Sequence, residues 1–280
     1  MFRELTFGQY YPVDSVIHRL DPRVKLMGAF LFIICVFLAS NIFSIIVVTI
    51  FLVAMIILCK VPLSYMLKGL RSIVLLLVVA GIFNLFLTPG NVLVQFWIFR
   101  ITDVGIKNCI FMIIRMVYLI VGTSIMTLTT TPNQLTDGLE KALGFLNKIK
   151  IPVHEIAMMM SIALRFTPIL VDETDKIMKA QMARGADFES GGVFKRAKSM
   201  IPILVPLFVS AFRRANDLAL AMEARCYNGG DGRTKMKPLK YSGNDSKAYI
   251  IEVAFLALTI LANVLYNRYV SALFVNVFNL

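Results

Sequence analysis

Long apolar runs alternate with basic, polar connections along this chain. Runs with few or no charges cover 26–40, 42–59, 73–87, 104–128 and 248–264. Three of them hold no charge; 104–128 carries Lys107 and Arg115, and 248–264 carries only Glu252. Each is near the roughly 20 residues that cross about 30 Å of hydrocarbon, the first and third being short. Lipid offers a backbone no hydrogen-bond partner, so such segments are predicted to be helical. The pattern predicts an all-α polytopic membrane protein with about five transmembrane helices.

The stretch 130–240 follows another rule. It is too long for a structureless loop. Thr131-Pro132-Asn133 reads as a helix start, with proline in the first turn, leading to a short helix through about residue 146. The segment 153–184 is apolar in its first half (Ile156, Met159, Met160, Ala163, Leu164) and charged in its second. Asp172/Lys176 and Asp175/Lys179 stand at the i,i+4 spacing of helix ion pairs. The segment 194–225 repeats the plan: Leu204, Phe208, Ala211, Ala215, Leu218 and Met222 make one stripe, with Arg213/Asp217 at i,i+4. Both are predicted as amphipathic helices of roughly 30 residues, about 45 Å long, on the cytoplasmic side along or just under the membrane. The expected organisation is 1–129 (N-terminal segment and four spans), 130–240 (cytoplasmic helices) and 241–280 (last span).

Composition agrees with the pattern. Hydrophobic residues make up 58% and charged residues 16%, with mean hydropathy +0.75. A soluble domain has roughly 45–50% and about 25%. The net charge of +12 need not signal nucleic acid, because basic residues mark cytoplasmic loops. Four precede the first span, three lie between spans two and three, 17 fall in 130–240 and Lys247 adds one, so 25 of 29 share a side. The N-terminus and 130–240 are therefore expected in the cytoplasm, and five spans put the C-terminus outside. Residues 1–22 have no apolar core or cleavage site, so a signal peptide is not expected there. Cys35, Cys59, Cys109 and Cys226 lack metal-site spacing and read as small buried hydrophobes. His18 and His154 stand alone and read as surface or interfacial.

The candidate chemistry lies at the ends of the two long helices. One closes with Ala183-Arg184-Gly185, the other with Ala224-Arg225-Cys226, 41 residues later, and glycine pairs follow at Gly191-Gly192 and Gly229-Gly230. A basic residue in a last turn suits the helix dipole, and glycine stops helices, so one copy could be structural. Two copies on matching helices suggest two similar receptors. A guanidinium on a rigid end suits bidentate recognition of a carboxylate. No phosphate-binding G-x-x-x-x-G-K-[ST], nucleophile elbow, metal motif or paired catalytic carboxylates occur. Neither an enzyme nor a metal or cofactor site is expected on this chain. Arg115, inside a span, pairs structurally or snorkels, or else marks a site, and Glu252 is a possible partner. Arg23 and Lys25 either sit at lipid phosphates or serve only as topogenic charge.

The residues Gly8-Gln9-Tyr10-Tyr11-Pro12, Ser15, His18-Arg19-Leu20-Asp21-Pro22-Arg23 and Lys25, with the paired Ala-Arg motifs, resemble the transmembrane (T) component of energy-coupling factor transporters, the CbiQ/EcfT family. The resemblance covers essentially the whole chain; Cys226 departs from the Gly that ends the family's second motif. It implies a bacterial plasma-membrane subunit that scaffolds two ATP-binding cassette ATPases and a membrane-embedded, substrate-binding S component, possibly one of several, for uptake of a vitamin or other micronutrient. ATP and Mg would sit on the partner ATPases. Each Arg-bearing end would dock in a groove of one ATPase, and the long helices would carry motion to the S component. Met-rich surfaces repack for different partners, so Met158, Met159 and Met160 are candidate S-component contacts, with lipid-facing or core packing as the alternative. Competing readings are a secondary transporter, which needs midplane ionisable residues or inverted repeats, and a permease of another class of ATP-driven importer.

Overall fold

A computed structural model describes residues 10–96, 99–188, 192–230, 236, 238–266 and 268. Gly8, Gln9, Gly191 and the glycine-rich 231–235 lie outside the described residues. The chain forms two compact units, one built from Gly8–Gly138 with Leu239–Leu280, the other from Leu139–Pro238.

The first unit is a helical bundle: α1 (Pro22–Leu38), α2 (Ile42–Cys59), α3 (Leu63–Leu87), α4 (Asp103–Thr129) and α9 (Gly243–Leu265). Helices α1, α2, α4 and α9 pack against one another, and α3 lies against α4. Phe32, Val48, Leu52, Val121, Ile125 and Phe255 form the core. The Phe51 and Phe255 rings stack with centroids 4.0 Å apart. At Gly122 a β-carbon would come within 2.2 Å of the Phe32 ring, so only glycine lets α4 approach α1 there. The outer faces are as apolar as the core, Leu75 being 77% exposed and Ile57 69%. Such exposure is costly in water and suits lipid.

Polar contacts fix the direction of the helices. Asp245, in the first turn of α9, accepts from the Asp21 backbone N–H at the start of α1, 2.8 Å away. At the other end Asn263 donates to the Leu38 carbonyl at 2.6 Å. Helices α1 and α9 therefore run parallel. Lys25 Nζ donates to the carbonyls of His18 (3.0 Å) and Thr129 (2.9 Å), and the Tyr11 N–H donates to the Leu128 carbonyl. The end of α4 and the starts of α1 and α9 thus share one end of the bundle.

Three expectations change here. The apolar run 73–87 is only the last part of α3, because the helix continues N-terminally through a stretch whose charges interrupt hydropathy, not helicity. An antiparallel hairpin, β1 (Val92–Phe96) and β2 (Phe99–Thr102), caps the α3–α4 connection; its β-branched and aromatic residues are its sequence signal. Arg115 does not meet Glu252. Its guanidinium donates to the Ala39 carbonyl at 3.2 Å, just past the end of α1, while Glu252 lies against Gly28 near the start of α1.

The second unit contains the end of α5 (Pro132–Ala142), a tight 3-10 turn (Leu143–Ile149), α6 (Val153–Ala183), α7 (Val193–Ser199) and α8 (Ile201–Ala224). Helix α6 has 31 residues, about 46 Å at 1.5 Å each. The predicted single helix over 194–225 is two. Pro202 has no N–H to donate into the preceding turn, so α7 ends and α8 starts at Met200. Helices α2, α4, α6 and α9 are long and apolar enough to cross a membrane, α6 having the lowest mean hydropathy, 1.3.

Candidate functional site: two matched helix ends

Both motifs stop their helices in the same way. At the end of α6, Gly185 takes φ +88°, its N–H donates to the Met182 carbonyl, and the Ala186 N–H donates to Gln181. At the end of α8, Cys226 takes φ +54°, its N–H donates to Glu223, and the Tyr227 N–H donates to Met222. These are two Schellman motifs in register, with Arg184 and Arg225 as the cap residues. Cys226 thus performs the turn that Gly185 performs, at the left-handed cost of about 1–2 kcal/mol for a residue with a β-carbon. It is exposed, not a buried hydrophobe, whereas Cys35 and Cys59 are buried.

Ala183, Arg184, Gly185, Ala224, Arg225 and Cys226 are all exposed. Among the described residues neither Arg184 nor Arg225 has an ion-pair partner, the salt bridges being Arg19–Asp14, Arg23–Asp21, His154–Glu140 and Arg214–Glu173. Among the described residues, each end therefore presents a guanidinium without an ion pair. Among the described residues no group of three or more His, Cys, Asp or Glu could hold a metal ion.

The i,i+4 pairs expected along the two helices are not formed. Instead, Glu173 of α6 reaches across to α8, where its carboxylate accepts from Ser210 Oγ at 2.6 Å and from the Arg214 guanidinium at 2.7 Å. Residue spacing along a single helix could not reveal a contact between two helices. One signal was available: 173 and 214 differ by the same 41 residues as 184 and 225.

At the start of α6, His154 Nδ1 lies 3.0 Å from Glu140 Oε1. Gly230 packs on the ring so closely that a β-carbon there would fall 2.3 Å from it. The glycine pair after the second motif therefore lets the chain cross His154, which is partly buried. Met158 is half-buried, and Met159 and Met160, on the same turn, are exposed. Of the predicted stripe on α8, Leu204, Phe208 and Ala215 are exposed and Ala211, Leu218 and Met222 are half-buried, so none of it is fully buried within this chain.

Several described residues of the N-terminal signature are committed to contacts within the chain, although Arg19 pairs with Asp14 at the surface. His18 bridges Ser15 Oγ (2.7 Å) and the Tyr11 carbonyl (3.0 Å). Asp21 caps α1 by accepting from the Arg23 N–H at 2.9 Å and pairs with the Arg23 guanidinium at 3.0 Å. The same guanidinium lies 4.0 Å above the Tyr241 ring. Arg23 is thus committed inside the protein, and Lys25 is buried on two carbonyls.

A predominantly helical membrane protein with two equivalent cationic helix ends and, among the described residues, no metal-holding cluster is the class defined by this geometry. The chain belongs to the CbiQ family, whose model, described as cobalt transport protein, matches residues 14–236. It is similar along nearly its whole length to proteins named energy-coupling factor transporter transmembrane protein EcfT. The identity is 48% over 270 residues with that of Clostridium kluyveri, covering 96% of this chain and 100% of the relative. It is 50% over 248 residues with that of Thermosediminibacter oceani (89% and 94%), and 47% over 259 residues with that of Bacillus subtilis (92% and 98%). The family is the one its motifs resemble. It is a membrane-embedded transporter component of the T type, not a catalytic subunit.

Proposed function

We propose that this chain is the scaffold and coupling subunit of an ATP-driven importer. Arg184 and Arg225 each dock one of two ATP-binding cassette ATPases through an acidic or carbonyl-rich groove. The carrying observation is the pair of Schellman ends with matching hydrogen bonds, each presenting an exposed arginine without an ion pair among the described residues. A free guanidinium on a rigid end loses little conformational freedom when it meets a carboxylate. The chain itself binds no cofactor; ATP and Mg belong to the partner ATPases.

A membrane-embedded S component, possibly one of several, binds the vitamin or other micronutrient. The exposed Met159 and Met160 and the uncovered apolar side chains of α8 support such a partner. Met158, Met159 and Met160 are its proposed contacts. The excess of basic residues supports a cytoplasmic N-terminus and a cytoplasmic 130–240 region, with 1–129 and 241–280 supplying the membrane domain.

Affinity purification of the chain in mild detergent tests the reading. Two ATPases and a small membrane protein are expected to accompany it. Uptake by the chain alone in liposomes without ATP would replace this reading with that of a secondary transporter. A photo-crosslinker at Met159 is expected to capture the small membrane protein; capture of ATPases alone would remove the methionine assignment.

A further inference from the structure

The two arms that carry the arginines are joined at one polar junction, and its position is unusual. Glu173 lies 11 residues before Arg184, and Arg214 lies 11 residues before Arg225. The ion pair therefore links equivalent positions of a repeated arm, the point where an axis relating the two copies would pass. Eleven residues are close to three turns, so each arginine sits about 16 Å beyond the junction and about 20° around its helix axis from the junction residue. The arms beyond it, 174–183 and 215–224, contain neither proline nor glycine. The prolines inside the helices, Pro168 and Pro206, lie before it. Each arm is thus a regular helix from junction to cap, and the possible bends lie behind the junction.

We infer that the Glu173–Ser210–Arg214 junction is a positioning device that sets the angle between the arms and hence the spacing of Arg184 and Arg225. This rests on reading those arginines as docking ends. Glu173 supplies one oxygen to each partner on α8, Oε1 to Ser210 and Oε2 to Arg214. A carboxylate held at both oxygens resists rotation of one helix past the other, which a single contact would permit. The groups are half-buried, so the junction holds the angle without locking it, and the arms can reset when two partners move.

The test uses the purified complex with its ATPases and, separately, the chain alone in lipid nanodiscs. Bio-orthogonal spin labels at 179 and 220, exposed positions that also differ by 41, report the arm-to-arm distance and leave Cys226 in place. The native junction is expected to give one narrow distribution. Glu173→Gln and Arg214→Gln each broaden it to roughly twice that width, and the exchange of Glu173→Arg with Arg214→Glu narrows it again. ATP-driven uptake is expected to fall about fivefold in the single variants, the scale of a partly exposed ion pair, and to recover in the exchange. Unchanged distributions in both single variants would overturn the inference, as would broadening that the exchange fails to reverse. Broadening with normal uptake, where Arg184→Ala and Arg225→Ala abolish uptake, would overturn the positioning role. If uptake is also normal in those arginine variants, the docking reading fails and the junction geometry stands.

Discussion

Two sets of basic residues stand out in the sequence, and the protein treats them oppositely. In the N-terminal signature Arg23 is held by Asp21, the Leu239 carbonyl and the Tyr241 ring, and Lys25 by two carbonyls. At the helix ends Arg184 and Arg225 have no ion pair among the described residues. Both sets look like motifs. The first set completes a fold, because its hydrogen-bonding capacity is consumed within the chain. The second set is displayed on it and retains that capacity for another molecule. A recognisable motif therefore becomes a candidate site only after its polar groups have been accounted for.

Four measurements can break or sharpen this contrast. Combining Arg184→Ala with Arg225→Ala should have the largest effect on assembly. Losing a docked charge costs about 2–5 kcal/mol, so ATPase association should weaken at least about thirtyfold while melting in detergent stays at the native value. Equal retention of ATPases would show the displayed arginines to be idle. Lys25→Met should do the reverse. It strands the His18 and Thr129 carbonyls, and a loss of about 1–3 kcal/mol should appear as a lower melting temperature. An unchanged melting temperature would remove Lys25 from the structural set.

A smaller effect separates the two ends themselves. Cys226→Gly should stabilise the chain by about 1 kcal/mol by relieving a positive φ, and Gly185→Ala should destabilise it by about as much, since open space surrounds that position. Equal shifts of the same sign would contradict the matched caps. The slightest effect is a pH slope from the signature. Burial is the main cause that pushes the His18 pKa below its ordinary value, and the neutral ring suits both of its contacts. Its contribution is therefore complete above the unfolded pKa of about 6.5 and is lost as the pH falls below it. Melting temperature should decline on acidification, and His18→Gln should flatten that decline.

Much of the fold was legible because lipid imposes a simple rule. Long uncharged runs such as 42–59 have little choice but to be helices, and α2 matches that run from end to end. The paired helix ends were legible as well, since the stop signals are local. Features made by distant residues were not. The Glu173–Arg214 pair crosses between helices, and the i,i+4 partners that spacing offered were not used. Arg115 found a backbone carbonyl, which no residue pattern marks. The break at Met200 was signalled by Pro202, but the stripe that predicts one helix over the whole of 194–225 begins only at Leu204, past the break. Cys226 shows the remaining gap: sequence marks a departure from glycine, and only the dihedral angle shows that the turn survives it.

The shared end of the bundle has a consequence for how such a chain could be rebuilt. The bundle's contacts leading up to the second unit, at Leu128, Thr129 and Gly138, and its first after it, at Leu239 and Asp245, are tied to the same short N-terminal segment. The stretch Leu139–Pro238 is therefore, in architectural terms, an insert whose two seams lie side by side. Recombination at those seams could exchange it as a cassette between relatives while leaving α1–α4 and α9 in their own order.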